Sequence, residues 1–73
     1  MLADEIIRNK IKDKIPEKKV RNIFYVTAGI DGRSVYAICG NNNKIFGCAI
    51  VSSTLDIEEI IIWKNYLLQL HYY

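Results

Sequence analysis

The sequence predicts an α+β fold of element order α-β-β-β-α: a three-stranded antiparallel meander with N- and C-terminal helices packed on one face. Three observations support this. Apolar residues recur every four positions at the start of the chain. Two turn-forming clusters divide a β-branched and aromatic middle. An apolar C-terminal stretch follows a Ser/Thr cluster and a group of acids. The 73 residues make a single domain, 1–73, of a size that buries only roughly 60% of the surface its unfolded form exposes.

Residues 2–14 read as an amphipathic helix. Ala3, Ile7, Ile11 and Ile15 form its apolar stripe, with Leu2 and Ile6 beside it. Asp4 stands one turn before Arg8, the favourable order for a helical ion pair, and acids early with lysines late suit the helix dipole. Pro16 stops the helix, because a residue before proline is pushed out of the helical region.

"VRNIFYVTAG" (Val20–Gly29) is β-branched and aromatic and reads as the first strand. Asp31-Gly32 is a hairpin signal, "SVYAICG" (Ser34–Gly40) the second strand, "NNNK" (Asn41–Lys44) a second turn, and "IFGCAIVS" (Ile45–Ser52) the third strand. The last helix is expected to start at Ser53 or Thr54, with Asp56, Glu58 and Glu59 in its first turn, and to run to Leu70 or beyond.

Two-residue corners at Asp31-Gly32 and Asn42-Asn43 would place Phe24 opposite Cys39, Val26 opposite Ala37 and Ala28 opposite Val35. On the other side of the second strand, Cys39 would face Phe46, Ala37 would face Cys48 and Val35 would face Ile50. These residues form one wholly apolar face, the expected platform for both helices. The opposite face, with Ile23, Tyr25, Tyr36, Ile38, Ala49 and Val51 beside Arg21 and Ser34, is expected to be open although it is far from polar. Plotted as a helix, the C-terminal segment carries two apolar stripes. One, with Leu55, Ile60, Trp63, Leu67 and Leu70, covers the sheet; the other, with Ile57, Ile61 and Leu68, has no partner within the chain. Ile57, Ile61, Leu68, Tyr25, Tyr36 and Ile38 are therefore the candidate self-association residues, and a homodimer is the favoured assembly.

A hydrophobic content of 51% with 25% charged residues places the chain among globular rather than disordered sequences. The net charge of +2 is too small to imply a polyanionic partner by itself. No apolar signal region follows a basic start, and no uninterrupted apolar run approaches the roughly 20 residues a bilayer needs. The expectation is a cytoplasmic protein without a membrane partner, its Cys39 and Cys48 reduced.

Reactive constellations are sparse. His71 is the only histidine and lies near the C-terminus, far from both cysteines, so a zinc site of three or four ligands is not assembled. Cys39 and Cys48 lack the CxxC spacing and read as small apolar residues. Asp56, Glu58 and Glu59 read as helix-dipole partners, and the glycines form no phosphate-binding pattern. No catalytic, cofactor-binding or metal-binding residue is assigned, and no enzyme is expected.

"KIKDKIPEKKVR" (Lys10–Arg21) supports an alternative: a nucleic-acid-binding module using Lys12, Lys14, Lys18, Lys19 and Arg21, diluted by Asp13 and Glu17. The element order resembles that of the double-stranded-RNA-binding domain. That family opens its second helix on a basic cluster, where this chain reads "STLDIEE" (Ser53–Glu59), so no residue is carried over. The favoured reading is a small non-enzymatic interaction or regulatory protein that acts through self-association and a protein partner. Its Ile-, Lys- and Asn-rich usage suits an AT-rich genome and an accessory protein of a phage or mobile element.

Overall fold

The structure, a computed structural model, describes residues 2–63. One helix, α1 (Leu2–Ile11), precedes four strands: β1 (Val20–Ala28), β2 (Ser34–Gly40), β3 (Ile45–Val51) and β4 (Ile57–Ile62). The strands form one antiparallel sheet in the order β1-β2-β3-β4. The α+β class and the meander of the first three strands are as expected from the sequence. The C-terminal helix is not: residues 57–62 form a fourth strand, and residues 64–73, with Leu68 and His71, lie outside the described residues. With a strand in place of the second helix, the likeness to the double-stranded-RNA-binding domain lapses.

The cause lies in residues 52–62. Ile57, Ile60, Ile61 and Ile62 are β-branched and stiff, and suit a pleated surface better than a helix. The Ser/Thr/Asp cluster ahead of them closes a hairpin instead of capping a helix. The Ser52 N–H donates to the Asp56 carbonyl (2.8 Å) and the Leu55 N–H to the Ser52 carbonyl (2.9 Å), while Leu55 sits in the left-handed region at φ 66. The Asp56 N–H donates to Ser52 Oγ (3.1 Å), and Thr54 Oγ1 donates to Asp56 Oδ2 (3.0 Å). Asn41–Asn43 repeat this loop: the Gly40 N–H bonds the Lys44 carbonyl (3.0 Å), the Asn43 N–H bonds the Gly40 carbonyl (3.0 Å), and Asn43 has φ 64. Both are hairpin loops with a left-handed third residue.

The β2–β3 register matches the expected one at Val35–Ile50 and Ala37–Cys48. Nearer the turn a bulge intervenes, and Cys39 pairs with Ile45 rather than Phe46. A loop one residue longer than expected and a bulge of one residue offset each other. Between β1 and β2 they do not. The Gly29 N–H bonds the Arg33 carbonyl, with Asp31 (φ 62) and Gly32 (φ 76) left-handed inside the loop, and a bulge lies between Tyr25 and Thr27. Phe24 therefore faces Ala37, and Thr27 faces Val35.

The sheet face that α1 covers is the opposite of the expected one. Ala3, Ile7, Ile11 and Ile15 are all buried, in one cluster with Ile23, Tyr36, Ile38, Ala49 and Val51. Ile57, Ile60 and Ile62 pack against that cluster. The fourth strand explains the choice: alternation adds Ile60 and Ile62 to this face but Glu59 and Ile61 to the other. Burying Ile7, Ile11, Ile15 and Ile38 stabilises the fold by roughly 1.5–3 kcal/mol each.

Helix α1 ends at Ile11 rather than residue 14. Lys12–Lys14 form a turn held by bonds from the Lys14 and Ile15 N–H groups to the Ile11 carbonyl (2.9 and 3.0 Å), which keeps Ile15 in the core ahead of Pro16. Arg8 ties the helix to the sheet edge. Its Nε donates to Asp4 Oδ1 (2.6 Å), the ion pair expected from the sequence, and its Nη1 and Nη2 donate to the carbonyls of Val20 (2.9 Å) and Arg21 (3.1 Å). Arg8→Ala should lower stability by about 1–2 kcal/mol, as read by urea denaturation, with Arg8→Lys recovering only part of it because a lysine lacks the planar fork.

Candidate interaction surface

The face of the sheet away from α1 is built from residues that cross-strand pairing places in rows. Phe24, Ala37, Cys48 and Ile61 form an unbroken apolar row across the four strands. Thr27, Val35, Ile50 and Glu59 form the row toward the β1–β2 turn, and Asn22, Cys39 and Ile45 lie toward the β2–β3 turn. Ala37 and Cys39 at its centre are buried, whereas Phe24 is 42% exposed, Ile45 43% and Ile61 39%. Burial also pushes the Cys39 thiol pKa up, which favours the neutral form.

Of the candidate self-association residues, Ile61 lies on this face and is exposed. Ile57 is half-buried against the core. Tyr36 and Ile38 are buried beneath α1, a correction to their expected place on an open face. Tyr25 is their neighbour but remains exposed, with its ring edge-on to Tyr36 at 5.7 Å between centroids. Leu68 lies outside the described residues. Sequence reasoning grouped Phe24, Ala37 and Cys48 correctly on one face and then assigned helices to cover it. It missed the exposure of Phe24 because it lacked β4, whose Glu59 marks that face as the more polar one.

The edges of the sheet are less suited to pairing. Strand β1 carries two register shifts, between Val20 and Asn22 and between Tyr25 and Thr27, and β4 pairs with β3 through another. Bulges twist an edge away from flat strand addition.

The basic segment is interleaved with acids. Lys12 lines a shallow groove with Glu5 and Glu17, and Lys14 lines another with Glu58 and Glu59. Lys18 and Arg21 are drawn instead to the β2–β3 turn: Asn41 Nδ2 donates to the Lys18 carbonyl (2.9 Å), and Arg21 Nη1 reaches the Asn41 carbonyl (3.5 Å). Lys19 is half-buried between them in sequence. Among the described residues no group of three His, Cys, Asp or Glu side chains is placed to hold a metal ion, and no helix is long and apolar enough to cross a membrane.

Comparison with protein-family models, with curated proteins and with solved structures finds no match.

Proposed function

We propose that this protein is a non-enzymatic interaction module that self-associates through its open sheet face. The observation that carries this reading is the row Phe24–Ala37–Cys48–Ile61, an apolar strip across a sheet whose other face is already filled by α1. An apolar sheet face gains stability when covered, and antiparallel sheets commonly pack in pairs face to face. A regulatory role through a further protein partner, in the cytoplasm and as an accessory protein of a mobile element, extends the same reading. The nucleic-acid alternative is weaker, because Lys12 shares a groove with Glu5 and Glu17, and Lys14 one with Glu58 and Glu59.

Phe24→Lys tests the proposal. Phe24 is 42% exposed, so a lysine there threatens the core little while placing a charge in the strip. The variant should keep the wild-type circular dichroism spectrum and shift a dimer to a monomer in light scattering at micromolar concentration. An unchanged dimer would remove the open face from consideration.

A further inference from the structure

Antiparallel order puts the β1–β2 and β3–β4 turns at one end of the sheet. The β2–β3 turn and the start of β1 lie at the other. The charges divide along the same line. Asp31, Asp56, Glu58 and Glu59, half of the chain's eight acids, belong to the first end, where Glu58 pairs with Arg33 (3.1 Å). Lys18, Arg21 and Lys44 belong to the second.

These three cations are gathered around one residue, Asn41. Its Nδ2 donates to the Lys18 carbonyl (2.9 Å), and its own carbonyl accepts from Arg21 Nη1 (3.5 Å). The turn it opens closes on Lys44: the Gly40 N–H bonds the Lys44 carbonyl (3.0 Å), and the Lys44 N–H bonds Asn42 Oδ1 (3.1 Å). Arg8 holds the same stretch of β1 from the helix, through the carbonyls of Val20 and Arg21, and its own charge is met by Asp4. Lys18, Arg21 and Lys44 are exposed, and among the described residues none of the three has a carboxylate within ion-pair distance. Glu17 precedes Lys18 in sequence but lines the groove of Arg8 and Lys12.

We infer that this end of the sheet is a contact surface for the phosphate backbone of a nucleic acid, with Lys18, Arg21 and Lys44 each meeting a phosphate. The set differs from the basic run of the sequence. It leaves out Lys12 and Lys14, which share grooves with acids, and adds Lys44 from a distant turn. Lysine, arginine and asparagine are all residues that bond phosphate oxygens, and Asn42 and Asn43 stand exposed beside the three cations. The turn Asn41–Lys44 holds no apolar residue, so it has nothing to insert into a lipid surface. The acids at the far end repel the same polyanion and so orient its approach. The surface is separate from the open sheet face, and this inference does not depend on self-association.

Fluorescence anisotropy of the full chain with labelled DNA and RNA of mixed sequence, single-stranded and duplex, tests the inference. The Kd should rise about 20–40-fold between roughly 50 and 200 mM salt, as release of counterions from three phosphates requires. Lys18→Glu and Lys44→Glu change exposed residues and should keep the wild-type circular dichroism spectrum. Each should weaken binding about tenfold and lower the salt slope by about one. Lys12→Glu alters the net charge equally and should cost less than about threefold. Binding that is lost with Lys12→Glu but kept with Lys44→Glu would overturn the inference, as would the absence of salt-dependent binding to every nucleic acid probe. Tighter binding to polyglutamate or to vesicles of anionic lipid than to nucleic acid would also overturn it, assigning the surface to an acidic protein or a membrane.

Discussion

Ile38→Glu unfolds the protein, whereas Ile61→Glu leaves it folded; this contrast is the largest effect expected of any pair of substitutions here. Ile38 has no exposed surface and sits in the cluster formed by Ile7, Ile11 and Val51 beneath α1. A carboxylate there would be buried without a partner, and even the truncation Ile38→Ala should cost about 2–5 kcal/mol through lost burial and a cavity. Ile61 is 39% exposed on the other face, and its truncation should cost less than about 1 kcal/mol in a monomer. Urea denaturation of the two alanine variants measures the difference. Equal losses would mean that α1 does not distinguish the two faces. The reverse order would restore the packing expected from the sequence, with the helix over Phe24, Ala37 and Cys48.

Gly47→Val is the second large effect, and it probes β4 directly. A Cβ on Gly47 would lie 2.5 Å from the Ile61 carbonyl oxygen, 2.9 Å from Ile62 Cδ1 and 3.4 Å from Ile62 Cα. The first of these is a backbone atom in a paired strand and cannot swing aside as a side-chain tip would. Gly47→Ala should therefore lower stability by about 1–3 kcal/mol, and the branched valine by more, by driving β4 off β3. Amide hydrogen exchange should locate the damage, with Ile60–Ile62 losing protection before β1 and β2 do. If residues 57–62 were helical and away from β3, valine at position 47 would instead favour the strand and stabilise it.

The N-terminal half of the fold was legible because its signals are local. The Ala3–Ile7–Ile11–Ile15 stripe, the Asp4–Arg8 pair and the strand-breaking Asp-Gly and Asn clusters each act within a few residues; the stripe and the pair form as expected, and both clusters end strands, but in three-residue loops instead of two-residue corners. The C-terminal segment differs from the sequence expectation because its apolar residues follow a strand period, not a helical one. At 100° per residue "IEEIII" adds to a second apolar stripe without a partner; at 180° it is a strand that sends Ile60 and Ile62 to the core and Ile61 outward. The surplus stripe was itself the sign of the error, since a stable surface helix has one apolar face. The choice of sheet face was not legible, because bulges at Val26, Phe46 and Glu58 and the existence of β4 together decide which residues line it. The same applies to the interaction surface: Phe24, Ala37 and Cys48 group by alternation, but the exposure of Phe24 depends on which face α1 covers.

The apolar row on the open face should bring copies of this chain together. Sedimentation equilibrium of the full wild-type chain, from low micromolar to high micromolar concentration, tests it most directly. The apparent mass should rise with concentration from 8.5 kDa toward twice that value. A mass that stays at 8.5 kDa throughout the range would contradict it.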